Sequence, residues 1–466
     1  VRSVSATEDA ARHGADAFGK DTRYLRSLIK DRCPNYHFLV DFLRGEMRLI
    51  ILMREDLVED VSELEVKAIN TGVAGLANKG GIVASFAIYK TRLSFISAHL
   101  EAHEGRSKYR TRCNNLSAIL SGAKVKLSEG QRRYDASTAS HHCFICGDLN
   151  FRLVFPEEVV TSDVIDLAND EKWDLLNAAD ELEFALQRGH CLTGFKTPPC
   201  YFPPTFKIAR CKGVRYNDQR TPSYTDRLLW RSANGLSKRV KFLAYEPCLD
   251  FETSDHKPIR SALTISTNAS RFSWEAPSYL PPAGLSLSFQ LTISDIKCFN
   301  LRAMDRNGYS DPYVMFITEP ASLIEPKPSL TTDVENAKEE GFEKRTKCGW
   351  PRTRKIRKNL NPDWGKQQIT LPLKGDTEDL IGAMLFLTVM DFDDYTKDTQ
   401  IGTCVINLEK LFNPILSALR RQQFKMNPGD KKVIQESSVE KGVLKNGMVG
   451  GILMCDIFAH ATCKRL

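Results

Sequence analysis

The chain has 466 residues, of which 42% are hydrophobic and 26% are charged, and its formal net charge is +7. This is an ordinary globular composition, which excludes a largely disordered chain, collagen and a long coiled coil. No run of about 18 apolar residues occurs, so no transmembrane helix is predicted, and the length suggests about two or three domains. The small positive charge suits anionic partners without choosing among them.

The first 265 residues or so alternate short apolar runs with helical patterns, which predicts an α/β layered domain. The predicted strands are Arg48–Arg54, Gly81–Tyr89, Leu93–Leu100 and His142–Leu149, and the predicted helices are Lys20–Asp31, Tyr109–Ser121 and Glu157–Asn169. Cys143 and Cys146 form a CxxC pair inside one of these strands, and no second pair lies at zinc-site spacing. We therefore expect buried thiols in a reducing, cytoplasmic compartment, with metal ligation as the alternative.

The character of the chain changes after a proline-rich stretch at 271–283, where the tandem Pro281-Pro282 excludes a helix or a central strand. From Gly284, β-branched and alternating runs separated by turns predict an antiparallel β-sandwich. The predicted division is a first domain at 1–266, a linker at 267–283 and a second domain at 284–460. A polar insertion, Glu319–Gly349, predicts a mobile loop that leads into a strongly basic stretch ending at Lys358.

Three polar clusters of the first domain are candidates for chemistry. Asp148 and Asn150 follow an apolar strand and share one face of an extended chain, so they can orient a water and hold a phosphate oxygen; a tight turn is the alternative. Asp255 and His256 can bind a metal or form part of an acid/base pair, or simply make a surface turn. Arg227, in PSYTDR, can grip a phosphate or pair with an internal Asp.

In this order, GDLNFRL, PSYTDRLLW and SDHKPI resemble the signature motifs of the inositol polyphosphate 5-phosphatases. The segment TGVAGLANKGG at Thr71–Gly81 is similar to the glycine-rich substrate loop of that family, and SFISAHL, which ends in His99, is similar to its central strand. The resemblance covers roughly residues 5–265. It implies an α/β (α+β) four-layer sandwich of DNase-I-like type, and Mg²⁺-dependent hydrolysis of the 5-phosphate of an inositol ring.

The resemblance also implies residue roles. Asp148 would orient or deprotonate the attacking water, Asn150 would help hold the scissile phosphate, and the remaining catalytic groups would stabilise charge on the phosphoryl oxygens, namely His99, Asp255 and His256. Substrate contacts would come from Asn78, Lys79, Arg220, Asp226 and Arg227. Glu8 is the candidate Mg²⁺ ligand. The family's still earlier strand, with its Asn, has no counterpart, so we expect this chain to lack it.

Preference for a 4-phosphate is left open by the residues ahead of PSYTDR. Arg220 is present, but Asp218 stands where the family commonly has a Lys, and Lys212 and Arg215 are possible substitutes.

The second domain resembles a C2 domain, through LRAMDRNGYSDPYVMF, NLNPDWG and VMDFDDYTKDTQIG. The resemblance implies a β-sandwich that binds membranes, and it gives a set of candidate Ca²⁺ ligands: Asp305, Asp311, Asp391, Asp393 and Asp398. The family's last ligand position falls on Thr399, one residue after Asp398, so a calcium-independent C2 domain is the alternative. The basic stretch Arg352–Lys358 offers a second route to an anionic leaflet.

The sequence therefore predicts a peripheral-membrane phosphoinositide 5-phosphatase with a C2 domain. The expected substrates are phosphatidylinositol 4,5-bisphosphate and 3,4,5-trisphosphate or related inositol phosphates, and no nucleic acid partner is expected. The alternatives are a lipid-binding scaffold with a decayed active site and a nuclease of the same fold, which should lack PSYTDR and the Asn-Lys-Gly loop.

Overall fold

The computed structural model describes residues 19–72, 78–126, 133–216, 218–267, 285–324, 349–394, 396–420 and 431–465. Within these ranges the first domain contains six helices, and the second contains one. They are α1 Gly19–Arg32, α2 Arg106–Gly122, α3 Ala136–Ala139, α4 Thr161–Asn169, α5 Trp173–Ala178, α6 Glu181–Gln187 and α7 Leu408–Arg420. No described helix is both long enough and apolar enough to span a bilayer.

The described strands of the first domain form one mixed sheet and three hairpins. Their bounds are β1 Tyr36–Arg44, β2 Met47–Arg54, β3 Val61–Asn70, β4 Gly80–Ile88, β5 Thr91–His99, β6 Lys124–Lys126, β7 Arg133–Asp135, β8 His142–Asp148, β9 Asp226–Ser232, β10 Val240–Pro247 and β11 Ile259–Ile265. The mixed sheet has the order β3-β4-β5-β8-β9, and its central pair β5 and β8 runs parallel. The hairpins are β1-β2, β6-β7 and β10-β11.

The mixed sheet is covered on both faces, which explains why every residue of β4 is buried. Successive side chains of a strand point to opposite faces. Ile82 and Ala84 therefore pack against the β1-β2 hairpin, while Val83 packs on the other face in a cluster with helix α2. The predicted α/β layered domain and its predicted strands and helices are confirmed, although α4 begins four residues later than Glu157.

The second domain is the predicted antiparallel β-sandwich. Its described strands are β12 Leu285–Phe299, β13 Pro312–Glu319, β14 Ile369–Leu373, β15 Met384–Asp391, β16 Thr399–Asn407, β17 Lys431–Lys445 and β18 Met448–Arg465, in the order β13-β15-β16-β17-β18-β12-β14. The strands enclose an apolar core that includes Trp364, Leu385 and Leu387. The predicted linker, apart from residue 267, and most of the predicted mobile loop lie outside the described residues.

The two domains share a continuous apolar core. Met315, Phe386 and Val405 of the sandwich belong to the same buried cluster as Ile119 and Tyr134 of the first domain. The Tyr134 and Phe386 rings stack with centroids 4.9 Å apart, and the Tyr134 hydroxyl lies 2.9 Å from Thr388 Oγ1. The sandwich therefore covers a face of the first domain that would otherwise expose apolar side chains to water.

A buried histidine, His141, forms hydrogen bonds to both domains. His141 Nδ1 accepts a hydrogen bond from the Arg92 backbone N–H at 3.0 Å, so Nε2 carries the proton and donates it to the Gly382 carbonyl at 2.7 Å. Burial lowers the pKa of His141 to about 4. The neutral ring thus joins the two domains through one fixed tautomer.

Candidate active site

The first element of the site is the turn that follows β8. Asp148 is the last residue of the strand, and Asn150 takes a left-handed conformation with φ +56°. Gly147 has φ +131°, and a Cβ there would lie 2.1 Å from the Ala98 carbonyl oxygen, so only glycine fits beside Asp148. The backbone therefore requires the glycine of GDLN.

The Asn150 amide is fully engaged by the protein. Its Nδ2 donates to Asp148 Oδ2 at 3.0 Å and to the Leu100 carbonyl at 3.2 Å, and its backbone N–H donates to Asp148 Oδ1 at 3.1 Å. Its Oδ1 accepts from Arg152 NH2 at 2.7 Å. In this geometry Asn150 orients the Asp148 carboxylate.

The parallel pairing of β5 with β8 places His99 beside Asp148, since both residues end their strands. His99 Nε2 lies 3.4 Å from Asp148 Oδ2. Lys79 precedes β4, whose Gly80 pairs with His99 across the sheet, and Lys79 Nζ lies 2.5 Å from His99 Nε2. Burial lowers the pKa of Lys79 despite the nearby Asp148 carboxylate.

The antiparallel pairing of β8 with β9 adds a second carboxylate. Asp148 and Asp226 are direct partners in the ladder. Asp226 Oδ2 accepts a hydrogen bond from His256 Nδ1 at 2.9 Å and another from Thr205 Oγ1 at 2.8 Å. The His256 ring is thereby held with Nε2 as its remaining polar atom.

The charges of the site support one another. Burial raises the pKa of Asp148, but the hydrogen bond to His99 and the positive charges of His256, His99 and Lys79 outweigh burial and lower it. Burial lowers the pKa of His256, but the hydrogen bond and charge of Asp226, with the charge of Asp148, outweigh burial and raise it. The site therefore favours an ionised Asp148 beside a protonated His256.

One group of donors in the described part of the chain is close enough to hold a metal ion. The ligand atoms of Asp148, Asp226 and His256 lie within 4.8 Å of one another. Carboxylate oxygens are the ligands that Mg²⁺ prefers, so the two aspartates fit such an ion. Glu8, the predicted Mg²⁺ ligand, lies outside the described residues.

Two predicted site residues lie close to charged groups that are not part of the catalytic cluster. Asp255 does not contact the His256 ring; its carboxylate is half-exposed and lies 3.9 Å from Lys207 Nζ. Arg227 is 1% exposed and donates to Asp180 and to Thr197 Oγ1. Its buried guanidinium lies in an ion pair with Asp180, which is the internal pairing that the sequence offered as the alternative to a phosphate contact. Asn78 and Arg220 are exposed.

Two residues of the site have contacts that the sequence did not predict. Asp226, predicted to contact substrate, accepts a hydrogen bond from His256 Nδ1 and orients that ring. Arg152, in GDLNFRL, was not predicted at all. Its side chain holds Asn150 and lies over the Phe206 ring at 4.9 Å, and the Phe206 ring lies 4.6 Å from the His256 ring. The sequence feature that could have identified Arg152 is its position two residues after Asn150.

The candidate Ca²⁺ ligands of the second domain are partly engaged by protein groups. Asp391 Oδ1 accepts from the Asp311 backbone N–H at 2.6 Å, and Asp398 Oδ2 accepts from the Tyr313 hydroxyl at 2.5 Å. Burial, with the charges of Asp305, Asp393 and Asp311, raises the pKa of Asp391 to about 6. Among the described residues, no three of these five carboxylates meet the 4.8 Å proximity found in the first domain.

The cysteines that the structure describes are free thiols. Cys143 is buried and Cys146 is half-buried, and burial raises the pKa of Cys146 to about 11. This environment agrees with the prediction that the two cysteines are buried thiols.

Comparisons with known proteins give relatives for both domains. The model of a C2 domain matches residues 289–425. A Danio rerio phosphatidylinositol 3,4,5-trisphosphate 5-phosphatase 2A is 24% identical over 78% of this chain and 27% of its own length. A Mus musculus type II inositol 1,4,5-trisphosphate 5-phosphatase is 27% identical over 53% of this chain and 24% of its own length.

A third relative comes from a plant. The type I inositol polyphosphate 5-phosphatase 2 of Arabidopsis thaliana is 26% identical over 46% of this chain and 33% of its own length. The chain thus spans a third or less of the length of these three relatives. The model of the endonuclease/exonuclease/phosphatase family 2 matches residues 16–262, more than half of the chain. The predicted fold class and the resemblance to the inositol polyphosphate 5-phosphatases are confirmed, and the chain belongs to the endonuclease/exonuclease/phosphatase family 2.

Proposed function

We propose that the protein is a phosphatase that removes the 5-phosphate from phosphoinositides, with phosphatidylinositol 4,5-bisphosphate and 3,4,5-trisphosphate as substrates. The observation that carries the proposal is the meeting of His99, Asp148 and the Asp226–His256 pair at the ends of β5, β8 and β9. A carboxylate base beside an imidazolium suits the attack of water on an anionic phosphate monoester.

The roles follow from the geometry. Asp148, held ionised and oriented by Asn150, accepts a proton from the attacking water. His256, kept protonated by Asp226, presents Nε2 to an oxygen on which negative charge accumulates. Lys79, whose ammonium also lies against His99 Nε2, adds a donor beside Asp148, where a phosphoryl oxygen would lie.

A divalent ion fits the same donors. Asp148 and Asp226, with Glu8 as a further proposed ligand, would hold Mg²⁺, which supplies charge neutralisation and polarisation of a phosphate oxygen. The residues themselves bind, orient and move protons as described.

The phosphoinositide, rather than a nucleic acid, is supported by the motifs and by the relatives. PSYTDR and the Asn-Lys-Gly loop are both present. The three relatives are named as 5-phosphatases of inositol phosphates or of a phosphatidylinositol phosphate. Asn78, Lys79 and Arg220 are proposed to contact the inositol phosphate, and Asp226 and Arg227 are proposed to act indirectly through His256 and Asp180.

The C2 domain is proposed to hold the enzyme on the cytoplasmic face of a membrane. Arg352, Arg354, Lys355, Arg357 and Lys358 supply positive charge, and each such residue near an anionic leaflet contributes about 1 kcal/mol. Lys355 Nζ lies 3.8 Å from the centre of the Phe392 ring, next to Asp391 and Asp393. Ca²⁺ binding by the aspartates is a second proposed way for the C2 domain to bind the membrane. A chelator should abolish binding that depends on Ca²⁺ and leave binding by the basic residues intact.

The test is phosphate release by the full chain from a panel of phosphoinositides in vesicles and of soluble inositol phosphates, with and without Mg²⁺. The proposal expects Mg²⁺-dependent release from substrates that carry a 5-phosphate, and none from matched lipids without one. Vesicle binding without release from any substrate would indicate a scaffold, and hydrolysis of DNA alone would indicate a nuclease.

A further inference from the structure

A cavity of about 1190 Å³ lies behind the catalytic motif, and the proposed reaction does not use it. It is bounded by the first turns of α2, the segment that follows Arg152, and helices α4 to α6, and Met448 of β18 closes one side. Among the described residues that line it, none is His99, Asp148 or His256. Cavities of ~300–1,000 Å³ hold drug-sized ligands, so this one is large enough for a small molecule.

The wall of the cavity is largely apolar and aromatic. Leu153, Phe155, Val159 and Phe184 line it together with Tyr109. Tyr109 is held in place by its hydroxyl, 2.6 Å from His190 Nδ1, and by edge-on contact with the Phe151 ring at 6.1 Å. A largely apolar, aromatic wall of this kind favours a hydrocarbon chain over water.

The lining of the cavity includes a buried positive charge. Arg152 is 5% exposed, and its Nε and NH2 donate to Asn150. No hydrogen bond within the described residues uses its NH1. Two carboxylates of the lining, Asp180 and Glu181, already pair with Arg227 and Arg112. The Glu181 carboxylate also accepts from the Arg152 backbone N–H at 2.9 Å, so the Arg152 guanidinium is the buried cation of the lining that remains to receive an anion.

The rim adds further positive charge. Arg106 and Arg110 lie four residues apart, hence on one face of α2, and both line the cavity. Glu104 and Glu157 lie at the rim as well, and both are exposed. Exposed charges of mixed sign are screened by solvent, whereas the buried Arg152 is not. Arg152 therefore contributes more than the exposed charges to the binding of a charged ligand.

We propose that this cavity binds a single-chain anionic amphiphile, such as a long-chain fatty acid, with its hydrocarbon against Tyr109 and Phe184 and its carboxylate at Arg152. Because the same guanidinium holds the Asn150 amide, the bound anion lies one residue away from the catalytic carboxylate network. The site does not depend on the proposed phosphatase activity, since binding alone defines it.

The test uses the full chain, a dansylated undecanoate as fluorescent reporter, and laurate and dodecanol as competitors. We expect the reporter emission to shift to the blue on binding, and laurate to displace it at a concentration at least about tenfold below that of dodecanol, because only laurate pairs with Arg152. Equal displacement by laurate and dodecanol, or no binding of the reporter, would overturn the proposal.

A cavity-filling variant locates the site. Ala178 ends α5, is exposed and lines the cavity, so Ala178→Phe should weaken reporter binding about tenfold or more. Leu175→Phe is the matched control, because Leu175 lies on the same helix, is 54% exposed and is not part of the lining. Val154→Phe, at another exposed lining position, repeats the test if Ala178→Phe does not fold. Unchanged binding in a folded cavity variant would contradict the proposed location.

Discussion

Arg152 NH2 donates to Asn150 Oδ1 at 2.7 Å, and Arg152 Nε donates to the Asn150 carbonyl at 3.0 Å. The two bonds leave the Asn150 Nδ2 facing Asp148 Oδ2. The guanidinium thus fixes which way the amide points, and through the amide it fixes the carboxylate. Arg152 is a positioning residue of the proposed reaction.

Arg152→Met should lower kcat by about 10–100-fold, the usual cost of losing a partner that orients a ligand or catalytic group. KM should change less, because Arg152 contacts Asn150 and not the substrate. Steady-state kinetics on a soluble inositol phosphate measures both parameters. Arg152→Lys should recover part of kcat, and Arg188→Met, which removes an exposed arginine beside Phe184, should have no effect. A rise in KM alone would contradict the positioning role.

Asp226→Asn should move the alkaline limb of the pH–rate profile to lower pH. Asp226 raises the pKa of His256, so its loss lowers that pKa, and the protonated ring disappears at lower pH. The rate below that limb should also fall, by about 10²–10⁴-fold if His256 acts as an acid. Asp250→Asn is the control, because Asp250 is exposed and faces Lys212. An unmoved limb in Asp226→Asn would exclude the proposed pair.

Sequence reasoning located Asp148, Asn150, His99 and His256 because each lies in a short motif whose neighbours are fixed by the backbone. It did not identify the partners of Asp226 and Arg227 inside the protein, because those partners are set by sheet register and burial. Asp226 meets His256 across 30 residues, and Arg227 meets Asp180 across 47. Neither separation leaves a local pattern.

The fold, like the site, was predictable from the sequence only in part. Strands such as β4 and β8 are apolar runs, whereas β17 reads KKVIQESSVEKGVLK and its charges conceal the strand. The shared core of the two domains was also not predicted. The sequence pattern predicts that an apolar residue such as Phe386 is buried. It does not show whether that residue packs inside its own domain or against the other domain.

Phe386→Ala should lower the free energy of unfolding by about 3–5 kcal/mol, the usual cost of emptying a buried phenylalanine site. Since Phe386 stacks on Tyr134 of the first domain, one cooperative transition should shift as a whole. Urea denaturation followed by intrinsic fluorescence measures it. Phe299→Ala, at a position that is 37% exposed, is the matched control and should cost far less. Two separate transitions, with only one of them shifted, would show that the domains unfold independently.

Acidification should weaken the contact between the domains. The pKa of His141 is about 4 in the folded chain against 6.5 for a free ring, so between these values the unfolded chain binds more protons. The free energy of unfolding therefore falls as the pH drops through this window, by up to about 3 kcal/mol for this residue. His141→Gln should reduce the dependence measured by urea denaturation between pH 7.5 and 4.5, and the remainder comes in part from His142, whose pKa burial also lowers to about 4. His37→Gln, on the exposed edge of β1, should leave the dependence unchanged. Equal slopes for both variants would refute the role of His141.

The most direct test of the account is phosphate release by the Asp148→Ala variant of the full chain. The matched control is Asp163→Ala, which changes an exposed carboxylate at the start of α4. With Mg²⁺ and phosphatidylinositol 4,5-bisphosphate vesicles, the account predicts that Asp148→Ala releases no 5-phosphate above background while Asp163→Ala releases it at the unmodified rate. Near-normal release by a folded Asp148→Ala would contradict the claim that these residues form one hydrolytic centre.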